Sequence, residues 1–247
     1  MFAFRKLSLS LAAFAVTALA PAIAHSADTA PKLAPRSTYL TEITAEMKKA
    51  WPNNRIINIV AHGHSVPAGY FATPRVDTFN AYPHLLHVAL KERYPNAVIN
   101  VIVTAKGGEQ SEQGAARFDR DVLSHNPDVI LIDYGLNDRA LPLDRAEKAW
   151  SSMIEKATAK KIKVILLTPT GDLAVDINND GDDLNQRANQ IRRLAAKYHV
   201  GLVDSYAAFK EYVNQGHKLA ELMSQRNHPN RKGHDIVAAR LLEWFPE

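Results

Sequence analysis

Four residues of this chain are of the types that together perform acyl transfer. Ser65 comes just after an apolar run rich in Ile and Val, and Gly108 follows the next such run as the second residue of a Gly-Gly pair. Asn137 stands in the string GLND after a third apolar run, and His228 opens the string HPN near the C-terminus. The first three follow apolar runs that have the character of buried parallel strands.

The chemistry available to such a group is nucleophilic attack on a carbonyl carbon. A serine hydroxyl is a poor nucleophile until a base accepts its proton, and His228 is the candidate base. The oxyanion formed on attack needs hydrogen-bond donors aimed at it. The backbone N–H groups of Ser65 and Gly108 and the side-chain amide of Asn137 are the candidate donors.

Alternating strand and helix patterns supply the elements that must position these residues. The predicted strands span 55–60, 97–104, 128–134, 163–168 and 201–204. The predicted helices span 37–51, 81–94, 112–124, 143–160, 183–198, 206–215 and 232–244. Repeated strand–helix–strand units predict one three-layer α/β/α domain around a mainly parallel sheet of five strands. In the flavodoxin-like order 2-1-3-4-5 the first three strands are neighbours where the order reverses, so Ser65, Gly108 and Asn137 converge.

With these strings the chain resembles the SGNH family of esterases and lipases, also called GDSL hydrolases, over about residues 55–245. Ser65, Gly108, Asn137 and His228 match the four residues that name the family. The resemblance implies that they act as nucleophile, two oxyanion donors and general base, without a metal or organic cofactor. It implies hydrolysis of carboxylic esters through an acyl-serine intermediate.

The resemblance also makes a short acyl group on a carbohydrate, acetyl above all, the first choice of substrate. Lipid or aryl esters are the runner-up. Two further alternatives are a degenerate member that binds carbohydrate or a protein partner without turnover and an acyltransferase. A small-molecule or polysaccharide ester is therefore the expected partner.

Two positions depart from the family pattern. The family's first block reads Gly-Asp-Ser, whereas this chain has His64 before the serine. The family places an aspartate three residues before the histidine, where this chain has Gln225. We therefore expect a Ser65–His228 dyad in which a backbone carbonyl or the Gln225 side-chain oxygen accepts from His228 Nδ1–H; an acid from elsewhere in the chain is the other option.

The N-terminus has the pattern of a secretory signal. A basic pair at residues 5–6 precedes an apolar stretch, and small residues at 22–24 suit cleavage. We predict a signal peptide at 1–24, a lead-in with a first helix at 25–50 and the hydrolase domain at 51–247. This organisation predicts a periplasmic or secreted protein with no stable membrane insertion after cleavage; an N-terminal anchor that is retained is the alternative.

Composition excludes some kinds of covalent link and metal site and argues against one kind of partner. The chain has no cysteine, so neither a disulfide nor a thiolate metal site can form. The formal charge of +4 comes from residues scattered among acidic ones. Without a basic stripe interleaved with aromatics, we expect no nucleic-acid partner. The oligomeric state is left open.

Several other polar features have more than one interpretation. Tyr70 and Phe71, just after the serine, line a substrate pocket or pack their loop onto the domain. His62 and His64 are spaced like a metal pair, but no third ligand is evident and packed roles are favoured. The acidic loop at 176–183 begins like an EF-hand, but its twelfth position is Arg187, so a loop that caps the next helix is favoured over a calcium site.

Overall fold

A five-stranded parallel sheet forms the centre of the protein. The computed structural model describes residues 1–2 and 32–247. The chain divides into a unit of residues 1–30, of which the first two are described, and a unit of residues 31–247, which holds every element below. The predicted signal peptide lies outside the described residues apart from its first two positions, and the predicted boundary at 50/51 stays a prediction.

The strands of the sheet pair in the order β2-β1-β3-β4-β5, all parallel. Their bounds are β1 Ile56–Gly63, β2 Val98–Val103, β3 Val129–Asp133, β4 Lys163–Leu167 and β5 Gly201–Val203. This is the predicted order. Every residue of β3 is buried, as expected for a central strand covered on both faces.

Nine α-helices accompany the sheet in the described residues. They are α1 Thr41–Met47, α2 Ser65–Ala68, α3 Tyr82–Arg93, α4 Ser111–Ala116, α5 Phe118–Asp121, α6 Leu143–Ala159, α7 Asp183–Lys197, α8 Ser205–Asn214 and α9 Arg231–Leu242. Single 3-10 turns occur at Thr78–Asn80, Leu123–His125, Asn137–Ala140 and Leu219–Leu222. Within the described part of the chain, no helix combines the length and apolar character that crossing a bilayer requires.

The two faces of the sheet have separate apolar cores. Residues from α1, α3, α8 and α9 cover one face, where Ile57 and Ile59 of β1 point. Residues from α5 and α6 cover the other face, where Val60 of β1 points, and α7 contributes to both cores. Alternation along β1 therefore divides its side chains between two helical layers, which gives the predicted α/β/α architecture.

The structure differs from the predicted elements in several places, of which α2 is one, since no helix was predicted at 65–68. The helix predicted at 37–51 is shorter, because residues 36–40 form turns before α1. The helix predicted at 112–124 breaks at Arg117, whose backbone is not helical (φ −107°, ψ 6°), into α4, α5 and a 3-10 turn. A small antiparallel pair, β6 Met223–Gln225 and β7 His228–Pro229, was not predicted at all.

Candidate active site

Ser65 lies at the carboxyl edge of the sheet, as the first residue of α2. A Cβ on Gly63 would come 2.3 Å from the carbonyl oxygen of Asp133, so only glycine lets β1 approach β3 this closely. His64 Nδ1 then accepts from the N–H of Val66 at 3.1 Å and caps α2. The N–H of Ser65 belongs to the first turn of this helix and has no partner within it, which leaves it available to a ligand.

His228 contacts Ser65 directly. Its Nε2 lies 2.9 Å from Ser65 Oγ, and the two residues are 9% and 6% exposed. Burial lowers the pKa of His228 below its usual value; the hydrogen bond to the Phe71 carbonyl raises it, and nearby His64 lowers it further. An imidazole that is neutral at pH 7 can accept the proton of the serine hydroxyl.

The small β6–β7 pair and the start of α9 hold His228 in this place. Ser224 Oγ donates to the carbonyl of His228 at 3.0 Å. Two residues further on, Asn230 Oδ1 accepts from the N–H of Gly233 at 3.1 Å and caps α9. The HPN string therefore couples the histidine to a helix terminus.

Two groups contact the other ring nitrogen of His228. The carbonyl oxygen of Phe71 lies 3.0 Å from Nδ1, and Gln225 Nε2 lies 2.6 Å from it. Gln225 Oε1 is turned away, because it accepts from the N–H of Thr73 at 3.0 Å. The expectation that the Gln225 oxygen accepts from Nδ1–H is therefore wrong, whereas a backbone carbonyl is in place to do so. Neither contact is a carboxylate.

The loop after β2 lies beside the end of β1. Lys106 donates its N–H to the carbonyl of Gly63 at 2.9 Å. Gly108 has φ of +76°, a conformation that favours glycine, and a Cβ there would meet nothing within 4 Å. The backbone of Gly108 is therefore open to close approach by a ligand.

Asn137 is tied to the same loop. Its Nδ2 donates to the carbonyl of Glu109 at 3.0 Å, which uses one of its two amide hydrogens and leaves the second for a ligand. The structure thus brings Asn137 to the loop of Gly108, and His228 to Ser65, as the sequence predicted. Their catalytic roles stay predictions.

A buried polar network under the Gly108 loop escaped the sequence reasoning. Arg117 Nε donates to Glu109 Oε1 at 2.7 Å, and the Tyr134 hydroxyl donates to Glu109 Oε2 at 2.9 Å. Burial alone would raise the pKa of Glu109, but these hydrogen bonds outweigh it and hold the pKa below its usual value. Tyr134 Oη also lies 3.1 Å from His62 Nε2, so the network joins β1, the loop and the end of β3.

A second buried carboxylate, Asp172, links three loops near the site. It accepts from Arg139 Nη2 at 2.7 Å, from Arg226 Nε at 3.1 Å and from the N–H of Ala174 at 2.8 Å. Arg139 follows Asn137, and Arg226 lies in the turn before His228. Asp172 therefore connects the segments that carry the candidate oxyanion donor and the candidate base.

Tyr70 and Phe71 occupy different environments. The Tyr70 ring is 39% exposed, lies 6.0 Å from the His228 ring between centroids and covers Gly107, where a Cβ would come 2.8 Å from Tyr70 Cζ. The Phe71 ring is buried and packs on His234 with centroids 5.2 Å apart. Tyr70 is thus placed to meet a ligand with its side chain, whereas Phe71 contacts the site through its carbonyl.

The remaining polar features of the sequence have structural partners. Asp138 accepts from the N–H of Ser111 at 2.8 Å and from Trp150 Nε1 at 2.7 Å. His234 is fully buried, and its Nδ1 accepts from the N–H of Tyr82 at 3.2 Å. Both residues therefore hold neighbouring segments together.

The two places considered as metal sites, the His62/His64 pair and the acidic loop at 176–183, have polar partners within the protein. His62 Nδ1 lies 2.9 Å from Thr104 Oγ1, away from the partners of His64. In the acidic loop, Asp182 Oδ1 accepts from the N–H of Leu184 and caps α7. No group of three metal-ligating side chains is found among the described residues.

Comparison with known proteins places the chain in a family. The model of the GDSL-like lipase/acylhydrolase family matches residues 61–236, more than half of the sequence. The chain therefore belongs to the GDSL-like lipase/acylhydrolase family, whose name describes hydrolysis of acyl esters.

Among individual proteins, the chain is similar to an acetylxylan esterase of Geobacillus stearothermophilus, with 26% identity over 63% of this chain and 78% of that protein. The crystal structure of acetylxylan esterase Axe2 from that organism superposes with a TM-score of 0.67 at 24% identity, over 77% of this chain and 94% of that one. A two-domain esterase active on acetylated mannans superposes with a TM-score of 0.69 at 22% identity, over 84% of this chain and 52% of that one. At this identity the superpositions establish a shared fold.

The catalytic mutants of Axe2 include one at a residue close in sequence to its histidine. Its catalytic mutants are described at a serine, at a histidine and at an aspartate three positions before that histidine. In this chain the residue three positions before His228 is Gln225. The amide at this position is thus a departure from an enzyme of the same fold.

Proposed function

We propose that this protein is a serine esterase that removes acetyl groups from carbohydrate. The observation that carries the proposal is the 2.9 Å contact between Ser65 Oγ and His228 Nε2 at the carboxyl edge of the sheet. Membership in an acylhydrolase family and similarity to an acetylxylan esterase support the substrate class.

The proposed reaction begins when Ser65 Oγ attacks the ester carbonyl carbon and His228 Nε2 takes the hydroxyl proton. The N–H groups of Ser65 and Gly108 and the amide of Asn137 stabilise the oxyanion. The intermediate collapses, His228 returns the proton to the leaving alcohol, and an acyl-Ser65 remains. His228 then removes a proton from water as the water attacks the acyl carbon. The bond to Ser65 Oγ breaks, His228 returns the proton to Oγ, and acetic acid leaves and ionises to acetate.

The surface beside Ser65 supports a sugar ester as substrate. Tyr70 presents a partly exposed ring next to His228 and Gly107. An aromatic face packs well against the apolar face of a sugar ring, while the hydroxyl can hydrogen-bond. We propose that Tyr70 contacts the sugar and that Phe71 contributes through its carbonyl and by packing the loop.

We also propose that the protein acts in the periplasm or outside the cell. The support is the signal-like N-terminus: basic residues at 5–6, an apolar stretch and small residues at 22–24. Export would bring the enzyme to acetylated polysaccharide.

The test is release of acetate from acetylated xylan and acetylated mannan by the wild type and by Ser65→Ala. We expect release by the wild type, loss of almost all release by the variant, and slower cleavage of p-nitrophenyl octanoate than of p-nitrophenyl acetate. Equal rates for the two proteins would exclude Ser65 as the nucleophile. Preference for the octanoate would instead favour a lipid or aryl ester, and acyl transfer to an added sugar would identify a transferase.

A further inference from the structure

The Nδ1 atom of His228 faces two groups that it cannot satisfy together. The Phe71 carbonyl at 3.0 Å is an acceptor only, so it requires a hydrogen on Nδ1. The Gln225 amide nitrogen at 2.6 Å is a donor, so it requires a lone pair on Nδ1. A ring nitrogen offers one or the other.

The orientation of the Gln225 amide follows from its neighbour. The N–H of Thr73 is a donor without acceptor capacity, and it lies 3.0 Å from Gln225 Oε1. Thr73 Oγ1 also donates to the same oxygen at 3.2 Å. Turning the amide over would put NH₂ against the Thr73 N–H and remove the acceptor that this N–H and the hydroxyl now share. The oxygen therefore faces Thr73, and the NH₂ group faces His228.

The two contacts select opposite tautomers of a neutral imidazole. When Nδ1–H donates to Phe71, Nε2 has a free lone pair and can accept the proton of Ser65. When Gln225 donates to Nδ1, the hydrogen is on Nε2 and points at Ser65 Oγ, so the imidazole cannot act as base. In chymotrypsin-type enzymes, replacing the orienting aspartate with an amide selects this second tautomer and lowers kcat about 10⁴-fold.

We propose that Gln225 is a positioning residue that limits catalysis by competing with the Phe71 carbonyl for Nδ1 of His228. The two contacts divide the enzyme between a tautomer able to deprotonate Ser65 and one that is not. The inference rests on the proposed esterase function. It adds that residue 225 sets the fraction of molecules that are ready to react.

The test is the isosteric substitution Gln225→Glu. One carboxylate oxygen keeps the contact with Thr73, and the other takes the place of the NH₂ group and accepts from Nδ1–H. We expect kcat to rise by about tenfold or more with little change in KM, because residue 225 selects the tautomer and does not hold the substrate.

The pH profile should change in the same variant. The groups around His228 are Ser65, the Tyr70 ring, the Phe71 carbonyl and Gln225, and nearby His64 disfavours its cation. A carboxylate at 225 would favour the cation and raise the pKa of His228. The acid limb of kcat/KM would then move to higher pH. Gln215→Glu adds the same charge at the exposed end of α8. This control should leave both the acid limb of the kcat/KM profile and the value of kcat unchanged.

A second variant separates tautomer selection from a purely structural role. Gln225→Met removes the competing NH₂ group as well as the acceptor for Thr73. If Gln225 only braces the loop, Gln225→Met should be less active and less stable, with the tautomer of His228 unchanged. If Gln225 competes with the Phe71 carbonyl for Nδ1, Gln225→Met should shift His228 toward the Nδ1–H tautomer. Gln225→Glu should then have a higher kcat than the wild type.

The decisive readout needs no substrate. Imidazole ¹⁵N NMR of the full protein, with His228 assigned from the signals lost in His228→Asn, reports the tautomer directly. We expect a substantial Nε2–H population in the wild type and almost complete Nδ1–H in Gln225→Glu. A wild type already held entirely as Nδ1–H would overturn the inference, as would a Gln225→Glu variant with unchanged tautomer and rate. Failure of the esterase proposal is seen separately, as equal acetate release by the wild type and Ser65→Ala.

Discussion

Ser65 and His228 are 163 positions apart in the chain, and their side chains meet at 2.9 Å. Both are nearly buried, and burial holds the pKa of the imidazole below its usual value. The partner that favours a productive imidazole is the carbonyl of Phe71. At the scale of single residues, the site therefore combines a neutral base with an orienting group that has no formal charge.

The side chain of Asn137 allows a test of the oxyanion site. We expect Asn137→Ala to lower kcat about 10²–10³-fold with little change in KM, because its free amide hydrogen acts on charge that develops in the transition state. The lost hydrogen bond to Glu109 should cost only about 1 kcal/mol of stability. Steady-state kinetics on p-nitrophenyl acetate and thermal melting measure the two effects.

Asn53→Ala is the matched control, since Asn53 is exposed. It should leave both kcat and melting temperature unchanged. A kcat of Asn137→Ala within about threefold of the wild type would remove this amide from the proposed mechanism.

At the scale of elements, the ends of β1, β2 and β3 bring the candidate residues to one edge of the sheet. The sequence predicts this convergence because buried parallel strands have an apolar signature and their order determines which ends are neighbours. Ser65, Gly108, Asn137 and His228 could be singled out for the same reason, as side chains or glycines at recognisable places.

Other parts of the site have no recognisable pattern in the sequence. The β6–β7 pair is too short for an alternating pattern. The orienting group at Phe71 is a backbone carbonyl, which every residue has. Glu109 and Arg117 look like ordinary surface charges until folding places Tyr134 against them. These contacts depend on the three-dimensional neighbours of each group, so one sequence could not predict them.

The Glu109–Arg117 pair is predicted to stabilise the Gly108 loop. Removing one partner of a buried ion pair typically costs about 3–5 kcal/mol. We therefore expect Glu109→Gln to lower the melting temperature by about 10 °C. It should also lower kcat, because the segment that carries Gly108 and accepts from Asn137 loses its support.

The surface pair Glu112–Arg145 gives the control, because Glu112 Oε1 accepts from Arg145 Nε at 2.8 Å in a solvent-exposed place. Exposed pairs contribute about 0–1 kcal/mol, so Glu112→Gln should have almost no effect on melting or rate. If the two substitutions were equally mild, the buried network would have no role in supporting the loop.

At the scale of the whole molecule, the two apolar cores enclose histidines that are neutral when folded. Burial lowers the pKa of His62 to about 4, with nearby Arg117 lowering it further, and burial lowers the pKa of His234 to about 3. In the unfolded chain both titrate near the ordinary value of about 6.5. Between the folded-state pKa values and about pH 6.5, the unfolded state binds more protons than the folded state. The contribution of these histidines to the free energy of unfolding is therefore fully present above about pH 6.5 and is lost as the pH decreases.

Each such histidine should contribute a slope of up to about 1.4 kcal/mol per pH unit to the free energy of unfolding. We expect His234→Gln, which keeps an acceptor for Tyr82, to flatten the slope between pH 6 and 4.5 in denaturant titrations. His125→Gln, at an exposed position, should leave the slope as it is. A slope that is the same in wild type and His234→Gln would show that His234 is not held neutral.

The central claim is that Ser65 is the nucleophile and that His228 activates it. It is tested most directly by treating the protein with diethyl p-nitrophenyl phosphate and measuring its intact mass, followed by peptide mapping. The account predicts one diethylphosphoryl group on Ser65 of the wild type, much slower labelling of His228→Asn and no labelling of Ser65→Ala. A wild type that takes up no label, or carries it at another residue, would contradict the account.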